Sequence, residues 1–530
     1  MIVLHLQSCI YTQHMSPWMV VTAFGATIVA AILIYRLFKL ITQPSSPLPP
    51  GPRPWPIVGN LPHLGPAPHQ VLAALALKHG PLMHLRLGSV HVVVAASASV
   101  AEQFLKVNDA NFSNRPKFAG GIDVSYNFQD LVFAPYGPRW RLVRKLCSLH
   151  MFSAKAMHGS IHVRHEEVAR LAHNLATPGS KAVNLGQMLN VCTTNALARI
   201  MIGRRVFNEG NGGCDPRADE FKSTVVEFMV LAGVFDISDF IPSLEWLDLQ
   251  GVKAKMKKIH KRFDAFFTSI IEEQKVSKNE KHQDMLSMLL SLKEAPKDED
   301  KLSDTEIKAL LTNMFTAGTD TSSSTTEWAI AELIKNSRIM LRVQQELDKV
   351  VGKERHVREQ DMPNLPYLEA VVKETFRLHP PTPLSLPRIA AKNCEIFNYH
   401  IPKGATLLVN VWAIARDPKE WASPLEFRPE RFLPGGDKAD VDVKGTDFEV
   451  IPFGAGRRIC VGMSLGIRMV QLIVATLAHA FDWELENGQN PEKLNMDEAY
   501  GITLQRVVPL SVHPRPRLSP HVYSLSPSSS

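Results

Sequence analysis

Phe453-Gly-Ala-Gly-Arg-Arg-Ile-Cys-Val-Gly462 sets one thiol, Cys460, in a loop of glycines and arginines. Gly456 and Gly462 are expected to take backbone angles closed to other residues, so that the loop lies flat against a large planar ligand. Backbone N–H groups near the sulfur can stabilise a thiolate. Arg457 and Arg458 bring positive charge that favours it, and Arg458 offers a partner for a ligand carboxylate. Haem meets these demands together, and a cysteinate on its iron favours O–O cleavage over oxygen storage. A lone cysteine is ordinarily a buried, inert thiol; here the glycines, the arginines and Phe453 agree with the ligand reading. Cys9, Cys147, Cys192, Cys214 and Cys394 form no C-x-x-C pair and no zinc spacing, as in a chain facing a reducing compartment.

The sequence has 530 residues and is 45% hydrophobic, enough for a large core, and no Gly/Ser-rich linker or repeat divides residues 57–515. One large catalytic domain is therefore expected over 57–515, with the charged stretch 275–301 as a solvated loop between helices. Trp18 to Tyr35 carries no charge and as a helix would cover about 27 Å, close to the thickness of bilayer hydrocarbon. Arg36 and Lys39 follow it, and residues 1–17 hold no Lys or Arg. Residues 18–40 thus read as a transmembrane anchor with the remainder on the cytosolic side, and the sequon Asn111-Phe-Ser113 as unmodified. Residues 1–17 read as a short extension, with Met1 or Met15 as the start. Pro44-Ser-Ser-Pro-Leu-Pro-Pro-Gly-Pro-Arg-Pro-Trp-Pro56 makes 41–56 a semi-rigid hinge, and 516–530 is a polar tail. The net charge of +7 comes with no basic run interleaved with aromatics. It suits anionic lipid or an acidic electron donor, and no nucleic acid partner is expected.

Ser303-x-x-Glu306 is a capping box ahead of Ile307, Leu310, Leu311, Met314 and Phe315, the apolar face of a long helix. That helix contains Ala317-Gly-Thr-Asp-Thr-Ser322, where glycine and small polar residues lower helix propensity. A locally opened turn there would admit dioxygen and water over Ala317, with Thr321 and Asp320 managing protons; a plain polar stripe or kink fits the same residues. Glu374-x-x-Arg377 puts a carboxylate and a guanidinium on one helix face, and Arg431 in Pro429-Glu-Arg-Phe432 can complete a buried network that holds the cysteine loop in register. Trp140 and Arg144, four apart, suit a haem propionate or form a surface cation–π pair. Arg388 is a candidate for the other propionate.

These elements in this order resemble the cytochromes P-450, haem-thiolate monooxygenases of the membrane-anchored microsomal type, over about residues 18–515, including Leu48-Pro-Pro-Gly-Pro52. The resemblance implies a mainly α fold with a small β domain and an N-terminal transmembrane helix. It also implies haem b, ligated by Cys460 with Phe453 and Gly462 beside it, and electrons passed from NADPH through the FAD and FMN of cytochrome P-450 reductase. The endoplasmic reticulum membrane is the implied location, crossed once, with the catalytic domain in the cytosol. Val92-Val-Val-Ala-Ala-Ser97, Leu231-Ala-Gly-Val-Phe235, Gly435-Gly-Asp-Lys438, Val441-Asp-Val-Lys-Gly445, Glu492-Lys-Leu-Asn-Met496 and Tyr500-Gly-Ile-Thr-Leu-Gln-Arg506 resemble more narrowly the plant hydroxylases of the flavonoid B-ring. Asp437, Val461 and Ile122-Asp-Val-Ser125 depart from that pattern. The narrower resemblance implies 3'-hydroxylation, naringenin to eriodictyol and dihydrokaempferol to dihydroquercetin. A 3',5'-hydroxylase or another plant phenolic hydroxylase is the neighbouring reading, and a non-catalytic haem-thiolate sensor the distant one. It further implies pocket walls at Tyr126, Phe133, Thr382, Leu386 and Thr503.

Overall fold

A computed structural model describes residues 46–177, 182–207, 216–276, 284–294, 297 and 301–525, with positions 27 and 30. The extension 1–17, almost all of the anchor 18–40, hinge positions 41–45, Cys9, Cys214 and the last five residues of the tail lie outside the described residues. Pro49–Cys394 and Ile401–Ser530 form one compact unit. Residues before Pro49 and Glu395–His400 form another, within which the His400 N–H donates to the Pro47 carbonyl at 2.8 Å.

The large unit is mainly helical. Its longer helices are α1 (Pro68–His79), α2 (Pro138–His150), α3 (Ile161–Ala176), α4 (Leu185–Ile202), α5 (Pro216–Gly233), α6 (Val252–Val276), α7 (Asp304–Lys335), α8 (Ser337–Val350), α9 (Pro366–Leu378) and α10 (Met463–Ala480). The strands are β1 (Leu82–Leu87), β2 (Val90–Ala95), β3 (Val183–Asn184), β4 (Arg388–Ile389), β5 (Thr406–Val409), β6 (Phe481–Leu485), β7 (Glu498–Ala499), β8 (Gln505–Arg506) and β9 (Ser511–Pro516). A four-stranded sheet runs β1-β2-β5-β4, with β2 and β5 parallel and the other pairs antiparallel; β3-β9-β6 and β7-β8 form smaller sheets. The stretch 275–301 departs from the expected open loop, because its described part contains a helix, Met285–Ser291, that buries Met285, Leu286 and Leu289.

The axis of the unit is α7, which packs along α4, α9 and α10. The capping box forms as expected: Glu306 N–H donates to Ser303 Oγ at 3.2 Å and Ser303 N–H to Glu306 Oε2 at 2.9 Å. The helix is unbroken from Asp304 to Lys335, so the expected opening at Ala317–Ser322 does not occur. Several of its hydroxyls fold back onto their own helix. Thr316 donates to the Thr312 carbonyl at 2.6 Å, Thr319 to Phe315 at 2.6 Å and Thr321 to Ala317 at 2.7 Å. These bonds satisfy each hydroxyl without a second chain, so a polar helix can run through an apolar core.

Glu374, Arg377 and Arg431 meet as expected, essentially fully buried. Arg377 Nε and Nη2 reach the two Glu374 oxygens at 2.7 and 2.8 Å, and Arg431 Nε reaches Oε1 at 3.1 Å. Trp421 packs against both guanidiniums, 5.1 and 5.7 Å from its ring centroid. The remaining donors bind the carbonyls of Ala415, Ala422 and Pro424, and the Arg428 N–H donates to Glu374. The network therefore braces residues 415–428. The cysteine loop was expected to be its cargo, yet what ties that loop to α9 is Phe376, edge-on to Phe453 at 5.1 Å. Glu374→Ala leaves two guanidiniums buried without their carboxylate and is expected to destabilise the fold by about 3–5 kcal/mol, read as a lowered Tm and a low yield of folded protein.

Candidate active site

The cysteine loop is a chain of tight turns ending at a helix. Gly454 and Gly456 both have φ near +70°, a region that L side chains rarely adopt. A β-carbon on Gly456 would also lie 2.3 Å from the Leu105 carbonyl oxygen. Gly462 does not share this conformation. Its φ is −88°, and what it supplies is space, since a β-carbon there would sit 3.6 Å from the Phe152 ring and 4.0 Å from Cys460 Sγ. The Cys460 N–H donates to the Phe453 carbonyl at 3.0 Å, and α10 starts three residues later, so the sulfur sits just ahead of a helix N-terminus.

Cys460 lines a large cavity, to which its side chain is exposed. Burial raises its pKa, while the Gly462 N–H and the Arg144 guanidinium pull it down. The nearby positive charge is thus Arg144. Arg457 was expected in that role, yet it is spent on Asp109, with its Nη1 at 2.8 Å and its backbone N–H also on that carboxylate.

Against the cavity stands a cluster of buried guanidiniums. Arg388 comes from β4 and donates to the Ala455 carbonyl at 2.8 Å, with Asp109 at 3.4 Å. Arg458 donates to the carbonyls of Ser113 and Ala134 at 2.7 and 2.5 Å and lies 4.4 Å from the Trp140 ring centroid. Trp140 and Arg144 share a face of α2 at 5.4 Å, and the indole N–H donates to the Leu131 carbonyl at 2.9 Å. Sequence reasoning missed the fourth guanidinium. Arg115 is held by the carbonyls of Val132, Leu386 and Pro387 at 3.2, 2.6 and 2.8 Å. It follows the sequon, a stretch with neither periodicity nor a paired partner in sequence. That sequon is itself buried, with the Asn111 amide donating to the Lys392 carbonyl at 3.0 Å.

Burial and mutual repulsion act on this cluster. Arg388 and Arg458 are lowered to about 10, in each case mainly by burial, and Arg115 falls well below its usual value by burial and then by its two neighbours. Arg388 Nε and Arg458 Nη1 are buried without a hydrogen-bond partner among the described residues. Buried cations with spare donors fit a ligand carrying carboxylates. A thiol and this cluster bordering one cavity fit haem, with Cys460 for the iron and Arg115, Arg144, Arg388 and Arg458 for the two propionates.

The opposite wall is α7. Gly318 lets it approach α4 closely, since a β-carbon there would be 3.1 Å from Leu197. Ala317 and Thr321 face the cavity, as expected, as do Phe133, Thr382, Leu386 and Thr503. Two expected residues do not. Asp320 is turned into the protein, where the Gln505 amide donates to its oxygens at 3.0 and 3.2 Å; burial raises its pKa against the pull of Thr503 and Gln505. Successive helical residues point about 100° apart, and the side facing Gln505 is not the side facing Cys460. Tyr126 is carried off by three consecutive left-handed residues, Tyr126, Asn127 and Phe128, at φ 50°, 59° and 58°. Its hydroxyl donates to Asp264 at 3.0 Å and its ring lies 4.7 Å from His260, both on α6.

Residues 49–508 match the cytochrome P450 family. The chain is 68% identical over 479 residues to a flavonoid 3'-monooxygenase of Petunia hybrida, covering 90% of this chain and 94% of that protein. It is 61% identical over 507 residues to a flavonoid 3'-monooxygenase of Arabidopsis thaliana, covering 94% and 98%. Among solved structures, a zebra fish cytochrome P450 with progesterone superposes with a TM-score of 0.71 at 26% identity, over 85% of this chain and 99% of that one. Arg115→Met is expected to lower haem content per folded protein more than it lowers Tm, because the side chain serves the cofactor edge; pyridine haemochrome content against thermal melting checks this.

Proposed function

This chain belongs to the cytochrome P450 family, and from that premise we propose that it hydroxylates the flavonoid B-ring at the 3' position, with haem b held through Cys460. The observation that carries the reading is near-full-length identity to flavonoid 3'-monooxygenases together with a thiol and a guanidinium cluster on one cavity. The bound cofactor supplies activation of O₂ for insertion of one oxygen atom into an aromatic C–H bond.

The protein's part is to place the ring, exclude water and govern protons. Apolar walls from Phe133, Leu197, Phe228 and Ile502 suit a flat aromatic ligand and keep bulk water out. Thr321 is the hydroxyl we assign to proton delivery. It lines the cavity, and its hydrogen bond to Ala317 can exchange for one to a ligand in the groove. Asp320, bound by Gln505, is reassigned to holding the strand after Thr503 against α7. Electrons come from NADPH through the FAD and FMN of a reductase, and exposed Lys145 on α2 is a basic group suited to an acidic donor face. Residues 18–40 belong to the same proposal as the single anchor in the endoplasmic reticulum membrane, with the catalytic unit in the cytosol, and membrane fractionation of chains with and without residues 1–40 is the check.

Thr503 restricts the outcome to one hydroxylation. A β-branched side chain is stiff at χ1, and buried against the cavity it limits how a product with one added hydroxyl can re-enter rotated. Naringenin is expected to give eriodictyol. Thr503→Ala is expected to raise the 3',5'-hydroxylated fraction by a discrimination change of about 1–3 kcal/mol; product analysis that finds mainly 3',5'-hydroxylation by the parent moves the assignment to a 3',5'-hydroxylase. Thr321→Ala is expected to keep haem and substrate binding while product formed per NADPH consumed falls about 10²-fold or less and peroxide rises. Unchanged coupling removes Thr321 from the proton route.

A further inference from the structure

Two segments that mark the narrower resemblance meet in space. Leu231–Phe235 ends α5 and continues past it, and Tyr500–Ile502 leads from β7 towards β8. A β-carbon on Gly233 would lie 2.6 Å from the Gly501 carbonyl carbon, and the Ile502 N–H donates to the Met229 carbonyl at 2.9 Å. Only glycine at position 233 allows so close an approach. Together these segments wall a second cavity, which shares Arg115, Phe133, Ser385 and Ile502 with the cavity over Cys460. The two cavities thus adjoin at these four residues.

Most hydroxyls on the wall of α7 and α4 over Cys460 are tied to helix carbonyls. Over Cys460, Thr193, Thr316, Thr321 and Ser322 donate to helix carbonyls, and the Asn313 side chain accepts the N–H groups of Leu131 and Val132 and donates to Asp130. The hydroxyls of Thr382 and Thr503 have no hydrogen-bond partner among the described residues, and both residues border only the cavity over Cys460. At the shared wall and in the second cavity, the hydroxyls of Ser385 and Tyr500 have no hydrogen-bond partner among the described residues. Ser385 sits at φ 56°, its N–H donating to the Thr382 carbonyl at 3.0 Å. A non-glycine residue held in that region at a cavity wall calls for a functional reason. The Tyr500 ring is fixed from behind by stacking on buried His69 at 5.4 Å, and His69 Nε2 lies 3.0 Å from Glu498.

We propose that Ser385 and Tyr500 form a hydrogen-bonding subsite for the oxygenated ring of a flavonoid remote from the ring being hydroxylated. This rests on the flavonoid reading above. Such a ligand presents apolar faces to the aliphatic and aromatic walls and phenolic hydroxyls at the edge of its far ring. Two positioned hydroxyls, each able to donate and accept, would choose among ligands by that edge while the reacting ring stays over Cys460.

The test uses haem-loaded full-length parent, Ser385→Ala, Ser385→Gly and Tyr500→Phe, each titrated by the substrate-induced Soret shift. The probes are naringenin and 4'-hydroxyflavanone, which share the B-ring and differ in the hydroxyls of the far ring. Each variant is expected to weaken naringenin about 2- to 10-fold, the range of one hydrogen bond, and to bind 4'-hydroxyflavanone as the parent does. Ser385→Gly removes the hydroxyl without straining the turn, so it separates lost recognition from lost folding. Equal weakening of both probes, or unchanged naringenin binding in all variants, overturns the subsite. A parent that binds neither flavanone overturns the flavonoid reading itself, a result distinct from variants that bind as the parent does.

Discussion

Arg115, Arg388 and Arg458 share one buried corner of the protein, and much of the site follows from holding them there. Like charges at close range in a medium of low polarity repel, and each guanidinium has also lost its water. The protein answers with main-chain carbonyls. Val132, Leu386 and Pro387 serve Arg115, Ser113 and Ala134 serve Arg458, and Ala455 serves Arg388. These carbonyls belong to the segment after Leu105, the loop before α2, the strand entrance at β4 and the cysteine loop. The charge cluster therefore fixes four stretches of chain relative to one another, and any loop that moves uncovers a buried cation. Donors still left over, Arg388 Nε and Arg458 Nη1, belong to residues that line the cavity. Stability and ligand binding thus draw on the same groups, and haem completes a site that the polypeptide satisfies only in part.

The far wall solves the opposite problem. There the hydroxyls of α7 must not compete for the ligand or disturb the core, and back-bonding to the helix's own carbonyls silences them. Gly318 brings the wall close to α4. Thr321 differs from Thr316 and Thr319 in being only half-buried where it borders the cavity, and the helix remains continuous there. Asp320, a single residue away, belongs to a different environment, locked to Gln505 behind the wall.

Bracing is divided among separate devices. The Glu374 network ties 415–428 to α9, Phe376 ties α9 to Phe453, and Asp109 ties Arg457 and Arg388 to the segment after Leu105. Each lies around the thiol and none touches it, so the sulfur environment can be tuned by Arg144 and Gly462 without load from the frame. At the second cavity the bracing is main chain on main chain, where a glycine-to-glycine contact draws α5 onto the Tyr500 turn.

The motifs were legible in the sequence because their physics is local. A cysteine loop needs glycine where φ is positive, a long helix announces itself with a capping box, and Glu374 and Arg377 pair across one helical turn. Cys460, Trp140, Arg144 and the Glu374 triad could be named from spacing for that reason. What spacing does not carry is direction. Asp320 and Thr321 are neighbours in sequence, and only the packing of α7 between Gln505 and the cavity decided which of them lines the cavity. Tyr126 was lost to the pocket because three left-handed residues turn the chain there, and nothing in their side chains announces it. Arg115 has no periodic or paired neighbour, and became visible only when loops from 105 to 458 converged. The sequence by itself determined which chemical groups the protein owns and which helices carry them. Tertiary structure alone decided which groups share a cavity, because charge repulsion, burial and close backbone approach act between residues far apart in the chain.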